Sequence, residues 1–257
     1  ADLQASLHEQ LGTLEERHQL PAEYPDVRSR FKRLILRLAE QTGQRVVVLI
    51  DEYDKPILDR IEDREKAIEI REALKDFYSV IKDSDAHIRF AFLTGVSKFS
   101  KVSLFSGLNN LQDITLDARY SSICGYTDAD VESVFAPELP GLDRQEIRRW
   151  YNGYNWLGES VYNPFDLLLL FDRRQFQPWW FETGTPTFLI KLLTQRRQFT
   201  PALETLVAPE ALLSTFDVDN IPTEALMFQA GYLTIARADY YPGQLELALR
   251  YPNQEVK

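Results

Sequence analysis

The run Val46-Val47-Val48-Leu49-Ile50, followed at once by Asp51-Glu52, constrains the fold more than any other stretch of the chain. Consecutive apolar residues, the first three β-branched, suit a strand covered on both faces, as in a parallel sheet. Two carboxylates directly past such a strand fall in the crevice beyond the strand carboxyl ends, where open α/β sheets place their chemistry. In nucleotide hydrolases an acid pair so placed divides the labour: the first helps to hold Mg²⁺, and the second polarises the attacking water. The plainer reading is a strand that ends in a solvated acidic turn.

A second strand is expected at Ile88-Arg89-Phe90-Ala91-Phe92-Leu93. Between the two runs an amphipathic helix carries Ala67, Ile70, Leu74, Phe77 and Ile81 at helical spacing. One helix of crossover length makes the strands parallel neighbours. The second strand ends in Thr94-Gly95-Val96-Ser97-Lys98, so Thr94 and Ser97 are expected to face the same crevice, near a water or a terminal phosphate. The plainer reading has Ser97 capping the turn and Lys98 solvated. Asp113-Ile114-Thr115-Leu116 reads as a short third strand. Ahead of the first strand, Leu3, Leu7, Leu11 and Leu14, then Phe31, Leu34, Ile35 and Leu38, mark two helices, the second stopped by Gly43. Alternating strand, long helix and strand signals parallel α/β architecture.

Past about Gly125 the pattern changes. Thr127 with Asp130, and Asp143 with Glu146, have capping-box spacing. Pro164, Pro186 and Pro222 suit helix first turns. Tyr232 to Ala236 and Gln244 to Leu249 read as a hairpin turning at Pro242-Gly243. The expected organisation is a core over residues 1–125 and a helical, winged-helix-like lid with a terminal β-hairpin over 126–257.

Composition narrows the function classes. A net charge of −10 on 257 residues argues against nonspecific phosphate-backbone binding by the surface as a whole. The basic residues from Arg28 to Arg37 and the Arg196-Arg197 pair read as solvated helix faces. The single cysteine, Cys124, excludes an internal disulfide framework. With three scattered histidines, His8, His18 and His87, it gives no zinc spacing. No apolar run is long enough for a membrane span and no signal-peptide pattern is visible, so the expected location is cytoplasmic. The only methionine is Met227, so either an initiator Met has been removed before Ala1 or the chain is an excised piece of a longer protein, and the second is the expectation.

Several segments resemble one family. Asp51-Glu52-Tyr53-Asp54-Lys55-Pro56-Ile57, the turn Leu93 to Ser100, and Ser106-Gly107-Leu108-Asn109-Asn110-Leu111-Gln112-Asp113 look like the AAA-ATPase-like family of bacterial P-loop proteins. The resemblance continues through Tyr151-Asn152-Gly153-Tyr154, Tyr162-Asn163-Pro164-Phe165, Glu182-Thr183-Gly184-Thr185-Pro186, Gly231-Tyr232-Leu233-Thr234-Ile235 and Tyr251-Pro252-Asn253-Gln254-Glu255-Val256. It implies a P-loop NTPase-type parallel sheet, ATP and Mg²⁺ as cofactors, and in many members a C-terminal PD-(D/E)XK nuclease-like domain. It further implies Asp51 as the Walker B residue that assists the metal, Glu52 as the water-activating base and Thr94 as a sensor-like group. Ser97 is a further catalytic candidate and Lys98 a nucleotide-binding one.

The sequence departs from that family in one respect. No glycine is followed by lysine, so the phosphate-cradling G-x-x-x-x-G-K-[ST] loop is missing. That loop supplies backbone amides and a lysine to the β- and γ-phosphates, and a hydroxyl to Mg²⁺. This chain alone is therefore expected to be inactive and to hold no nucleotide tightly. Its sheet is expected to be gapped or completed from elsewhere.

The first functional expectation is thus a fragment of a Mg²⁺-dependent ATPase module acting as a conformational switch. Its partners would be the missing N-terminal P-loop segment, a C-terminal nuclease-like domain, further copies of the chain, and nucleic acid only through the intact protein. The rival is a noncatalytic interaction module on a degenerate nucleotide-binding fold. Weaker signals are Glu255-Val256-Lys257 with Asp239, which has the E-x-K form of a nuclease site. The aromatics Trp150, Tyr151, Tyr154, Trp156, Trp179, Trp180 and Phe181 read as packing ahead of base stacking. Arg119, Arg148 and Arg149 are arginine-finger candidates.

Overall fold

A computed structural model describes residues 3–21, 24–97, 104–105, 108–180, 194, 206–213 and 222–257. Lys98, Phe181, Pro186, Arg196 and Arg197, together with the Glu182 to Pro186 segment, lie outside the described residues. The chain divides into two units, residues 1–112 with 216–220, and residues 113–215 with 221–257.

The first unit is built from α1 (Leu3–Arg17), α2 (Val27–Thr42), β1 (Val46–Ile50), the single turn α3 (Lys55–Leu58), α4 (Arg64–Asp83) and β2 (Ile88–Leu93). Asp26 starts α2 by accepting from the Ser29 amide at 2.8 Å, and Gly43 ends it in the left-handed conformation, φ 66°. Asp63 starts α4 in the same way through the Lys66 amide, at 3.1 Å. The buried stripes of the two long helices meet in the core, Phe31 and Leu34 of α2 with Leu74 and Phe77 of α4. The Phe31 and Phe77 rings stack with centroids 4.7 Å apart. Helix α1 is fastened to α2 by Arg30, whose guanidinium forms a salt bridge with the Glu15 carboxylate and reaches His8 Nδ1 at 2.7 Å. Both salt-bridge partners are buried.

Strands β1 and β2 pair in parallel, Val46 opposite Ile88 and Ile50 opposite Leu93, with an irregularity between Val46 and Val47. Among the described residues this sheet has two strands. The alternation of the strand decides which side is covered: Val48 is buried on the face that α2 serves, whereas Val47, Leu49 and Phe90 are 50%, 70% and 53% exposed. The expectation of a strand covered on both faces is corrected here. A third strand at 113–116 is corrected as well. Asp113 accepts from the Thr115 amide at 3.0 Å and Ile114 from the Asp117 amide at 3.2 Å, so local turn bonds occupy the groups a ladder would need.

The second unit opens with α5 (Asp128–Ser133), α6 (Arg144–Tyr151), the short antiparallel pair β3 (Asn152–Tyr154) and β4 (Val161–Tyr162), and α7 (Pro164–Arg173). Thr127 and Asp130 form a reciprocal capping box. Asp143 caps α6 through the Gln145 amide, while Glu146 pairs with Arg149. Ile147, Tyr151, Leu167, Leu170 and Trp179 make the core of this part. It continues into β5 (Val207–Pro209), α8 (Glu210–Leu213), α9 (Thr223–Gln229), β6 (Thr234–Tyr241) and β7 (Gln244–Arg250). The three strands form an antiparallel sheet in the order β5-β7-β6, and Gly243, at φ 78°, completes the β6–β7 turn. No helix among the described residues is long and apolar enough to cross a membrane.

Candidate active site at the strand tips

Parallel pairing brings the two polar strand ends to one place. The Thr94 amide donates to the Ile50 carbonyl, and the Tyr53 amide to the Thr94 carbonyl, each at 2.9 Å. These two bonds carry the ladder past the last strand residues and set Thr94 beside Asp51. The Thr94 hydroxyl donates to Asp51 Oδ1, which also accepts the Glu52 amide at 2.9 Å. Asp51 Oδ2 keeps no hydrogen-bond donor among the described residues. Glu52 sits in the left-handed region, φ 52°, and is exposed. An extended backbone there would continue the strand, so this turn is what ends it and leaves the Glu52 carboxylate in solvent.

Behind this exposed pair lies a buried acid. Asp54 has 0% exposure and accepts from the Val96 amide at 3.1 Å and from both the amide and the hydroxyl of Ser97. Burial pushes its carboxyl above the ordinary range, and the Ser97 and Val96 donors pull the other way. The Tyr53 hydroxyl donates to the Ser97 carbonyl at 2.7 Å, and the Tyr78 hydroxyl to the Tyr53 carbonyl at 3.0 Å. Burial and the Asp54 charge both push the Tyr78 phenol up. Gly95 is required between them, since a Cβ there would stand 2.5 Å from Asp54 Oδ1 and 2.6 Å from the Tyr53 ring.

The structure therefore brings Asp51, Glu52 and Thr94 together at the surface and places Ser97 underneath, with its hydroxyl committed to Asp54. Lys98 lies outside the described residues. Asp54 is the residue that sequence reasoning passed over. Its signal was a third acid two positions after the pair, with a glycine and a serine in the facing turn. An acid in that company is placed to receive backbone donors.

A single exposed carboxylate with one oxygen open suits the way Mg²⁺ is held in nucleotide sites, by one or two carboxylates, waters and substrate phosphates. Among the described residues no group of three or more acids, histidines or cysteines is arranged to hold a metal by itself. The other candidates have local partners. Arg119 pairs with Asp117, Arg148 with Asp128 at 3.3 Å, and Arg149 with Glu146 at 3.0 Å. Glu255 is buried and accepts from the Trp180 amide, while Asp239 pairs with Arg237 at 2.9 Å. Trp150 and Tyr151 pack with Phe176, and Trp156 packs edge-on against Phe228. Arg28 is tied to Asp76 and Asp83.

Comparison with known proteins bears on the same stretch. Residues 1–105 match the family model described as "Predicted AAA-ATPase". A protein of Azotobacter chroococcum mcd 1, described as "Uncharacterized protein in vnfD 5'region", is 63% identical over 256 residues. That alignment covers 100% of this chain and 50% of the relative, so the chain spans half the length of the curated protein it matches. No solved structure matches. The matched stretch runs through both parallel strands and their acidic and hydroxyl tips, so it is over these residues, 1–105, that the chain is similar to the AAA-ATPase-like family.

Proposed function

We propose that this chain carries the Walker B and sensor-strand half of a Mg²⁺-dependent ATPase site whose phosphate-binding half lies in a separate P-loop segment. The observation that carries the reading is the hydrogen bond from Thr94 to Asp51 across two parallel strand ends, with the Glu52 carboxylate free beside it. Asp51 would hold Mg²⁺ through its open oxygen, and the ion would supply charge neutralisation at the β- and γ-phosphates. Glu52 accepts a proton from the water that attacks the γ-phosphorus as the bond to the β–γ bridging oxygen breaks and ADP leaves. Thr94 keeps Asp51 in one rotamer and is itself placed to sense the terminal phosphate; Ser97 contributes by holding the turn. Lys98 remains a nucleotide-binding candidate.

The uncovered face of β1 and β2 supports a missing partner segment, because parallel sheets occur almost only with both faces covered. In this reading the P-loop segment adds to the sheet and shields Val47, Leu49 and Phe90. The second unit, with its β5-β7-β6 sheet and flanking helices, serves as a winged-helix-like lid that transmits the nucleotide state to a nuclease-like domain. Oligomeric contacts, and any contact with nucleic acid, belong to the intact cytoplasmic protein. The same exposed face also supports the rival reading, an interaction module that uses this surface without chemistry.

Glu52→Gln separates the two. In the longer protein it should lower ATP hydrolysis by about 100-fold or more, the usual worth of a positioned base, while binding of a fluorescent ATP analogue with Mg²⁺ persists. Unchanged turnover would remove Glu52 from its role. Absence of nucleotide binding in both this chain and the longer protein would leave the interaction module as the better account.

A further inference from the structure

The second unit buries two carboxyl groups against one another. Asp166 on α7 is 0% exposed, and Glu255, in the segment after β7, is 4% exposed. They are hydrogen-bond neighbours. Glu255 Oε1 accepts the Trp180 amide at 2.9 Å, but among the described residues Glu255 Oε2 and both oxygens of Asp166 have no donor. Two ionised carboxylates have acceptors only and cannot pair. A single hydrogen on Glu255 Oε2, donated to Asp166, satisfies both facing oxygens.

We propose that Asp166 and Glu255 form a buried proton-binding site, with the proton carried on Glu255 Oε2 across neutral pH, and that this proton clasps residues 251–256 into the second unit. Among the described residues, no basic group is among the causes that act on either carboxyl. From β3 the Tyr154 hydroxyl and from α6 the Tyr151 phenol are raised by burial and by the two acids, Tyr151 to about 12. Arg149 gives only its carbonyl, to the Gln254 amide at 3.0 Å, and its guanidinium turns to Glu146. Arg173 lies over the Trp179 ring at 4.7 Å. Desolvation raises both carboxyls, and no basic group among the described residues lowers either.

The clasp acts on a segment that is already packed into the unit: Asn253 and Val256 are buried, the Gln254 amide donates to the Arg149 carbonyl at 3.0 Å, and the Pro252 carbonyl lies against Gly153, where a Cβ would come within 2.0 Å of it. Within the segment the Val256 amide donates to Asn253 Oδ1 at 3.2 Å. With its pair protonated, the folded unit binds more protons than the unfolded chain. The clasp's contribution is therefore complete below the ordinary carboxylate range and is lost as pH rises through the raised folded range. Loss of the proton leaves two negative charges facing each other inside the protein, and the segment is expelled.

The wild-type chain provides the first readout. At pH 7.5 its infrared spectrum should show a protonated-carboxyl carbonyl band, and labelling glutamate with carboxyl ¹³C should shift that band. The isotope separates Glu255 from Asp54, the other buried acid that burial raises. The protection factors of the Trp180 and Gln254 amides against hydrogen exchange should fall at least tenfold between pH 7 and alkaline pH. Glu255→Gln, with a permanent donor in place of the proton, should abolish the glutamate band and flatten that fall; Asp166→Asn gives the same test if Glu255→Gln does not fold. Absence of a glutamate-derived band at pH 7.5, or protection at both amides that does not change with pH, overturns the proposal.

Discussion

Asp54→Ala tests how the strand-tip turn is held. The substitution removes an acceptor shared by three donors, the Val96 amide and the amide and hydroxyl of Ser97. Ser97 is 3% exposed, whereas Val96 is 44% exposed and its amide can turn to water. Two buried donors left unpaired cost about 1–3 kcal/mol each. Part of this is returned because the buried carboxylate, whose pKa burial raises, no longer has to be desolvated. The expected net loss is about 2–4 kcal/mol. Ser97→Ala, which leaves both backbone donors paired, should cost about 1 kcal/mol. The double variant should fall short of the sum by about 0.5 kcal/mol or more, since the residues share one network. Tryptophan fluorescence is the wrong probe, because Trp150, Trp156, Trp179 and Trp180 all belong to the second unit. Native-state hydrogen exchange at the Tyr53 and Thr94 amides reads the first unit directly. A loss below about 0.5 kcal/mol for Asp54→Ala, or strict additivity with Ser97→Ala, would refute Asp54 as the acceptor that holds the turn.

Gly153→Ala should destabilise the second unit by about 3 kcal/mol or more, because φ is 132° and the new Cβ would press on the Pro252 carbonyl; here tryptophan fluorescence during urea unfolding is the appropriate assay. Arg30→Ala should cost about 3–5 kcal/mol by leaving the buried Glu15 carboxylate unpaired. Replacing both partners with apolar residues, Arg30→Met with Glu15→Leu, should recover most of that loss, and circular dichroism melts of the three proteins decide it.

The sequence carried much of the architecture because periodicity is a local signal. The stripes Phe31-Leu34-Ile35 and Ala67-Ile70-Leu74-Phe77-Ile81 appear as α2 and α4, and the two apolar runs as β1 and β2. The hairpin was legible from its turn, although β6 starts at Thr234, since residues 230–233 close the end of α9. Apolarity alone did not say what covers a strand, so the open face at Leu49 could not be read. At 113–116 a one-residue signal won over a four-residue pattern: Asp113 bonds its own backbone two residues on, and a turn replaces the strand. Asp51, Glu52 and Thr94 were legible because an apolar run ends abruptly at them. Asp54 and Asp166 were not, because a buried acid announces itself only through partners distant in sequence, Ser97 in one case and Glu255 in the other.

The parallel pairing of β1 with β2 also sets an order of events during folding. Asp51 and Thr94 are 43 residues apart, so their hydrogen bond closes a long loop. The entropy of that closure is spent before the ladder returns anything, whereas each turn of α2 and α4 forms from neighbours. The acid and hydroxyl therefore meet late, after the helices that deliver them have taken shape. A chain leaving the ribosome owns its helices before it owns the contact between its strand tips.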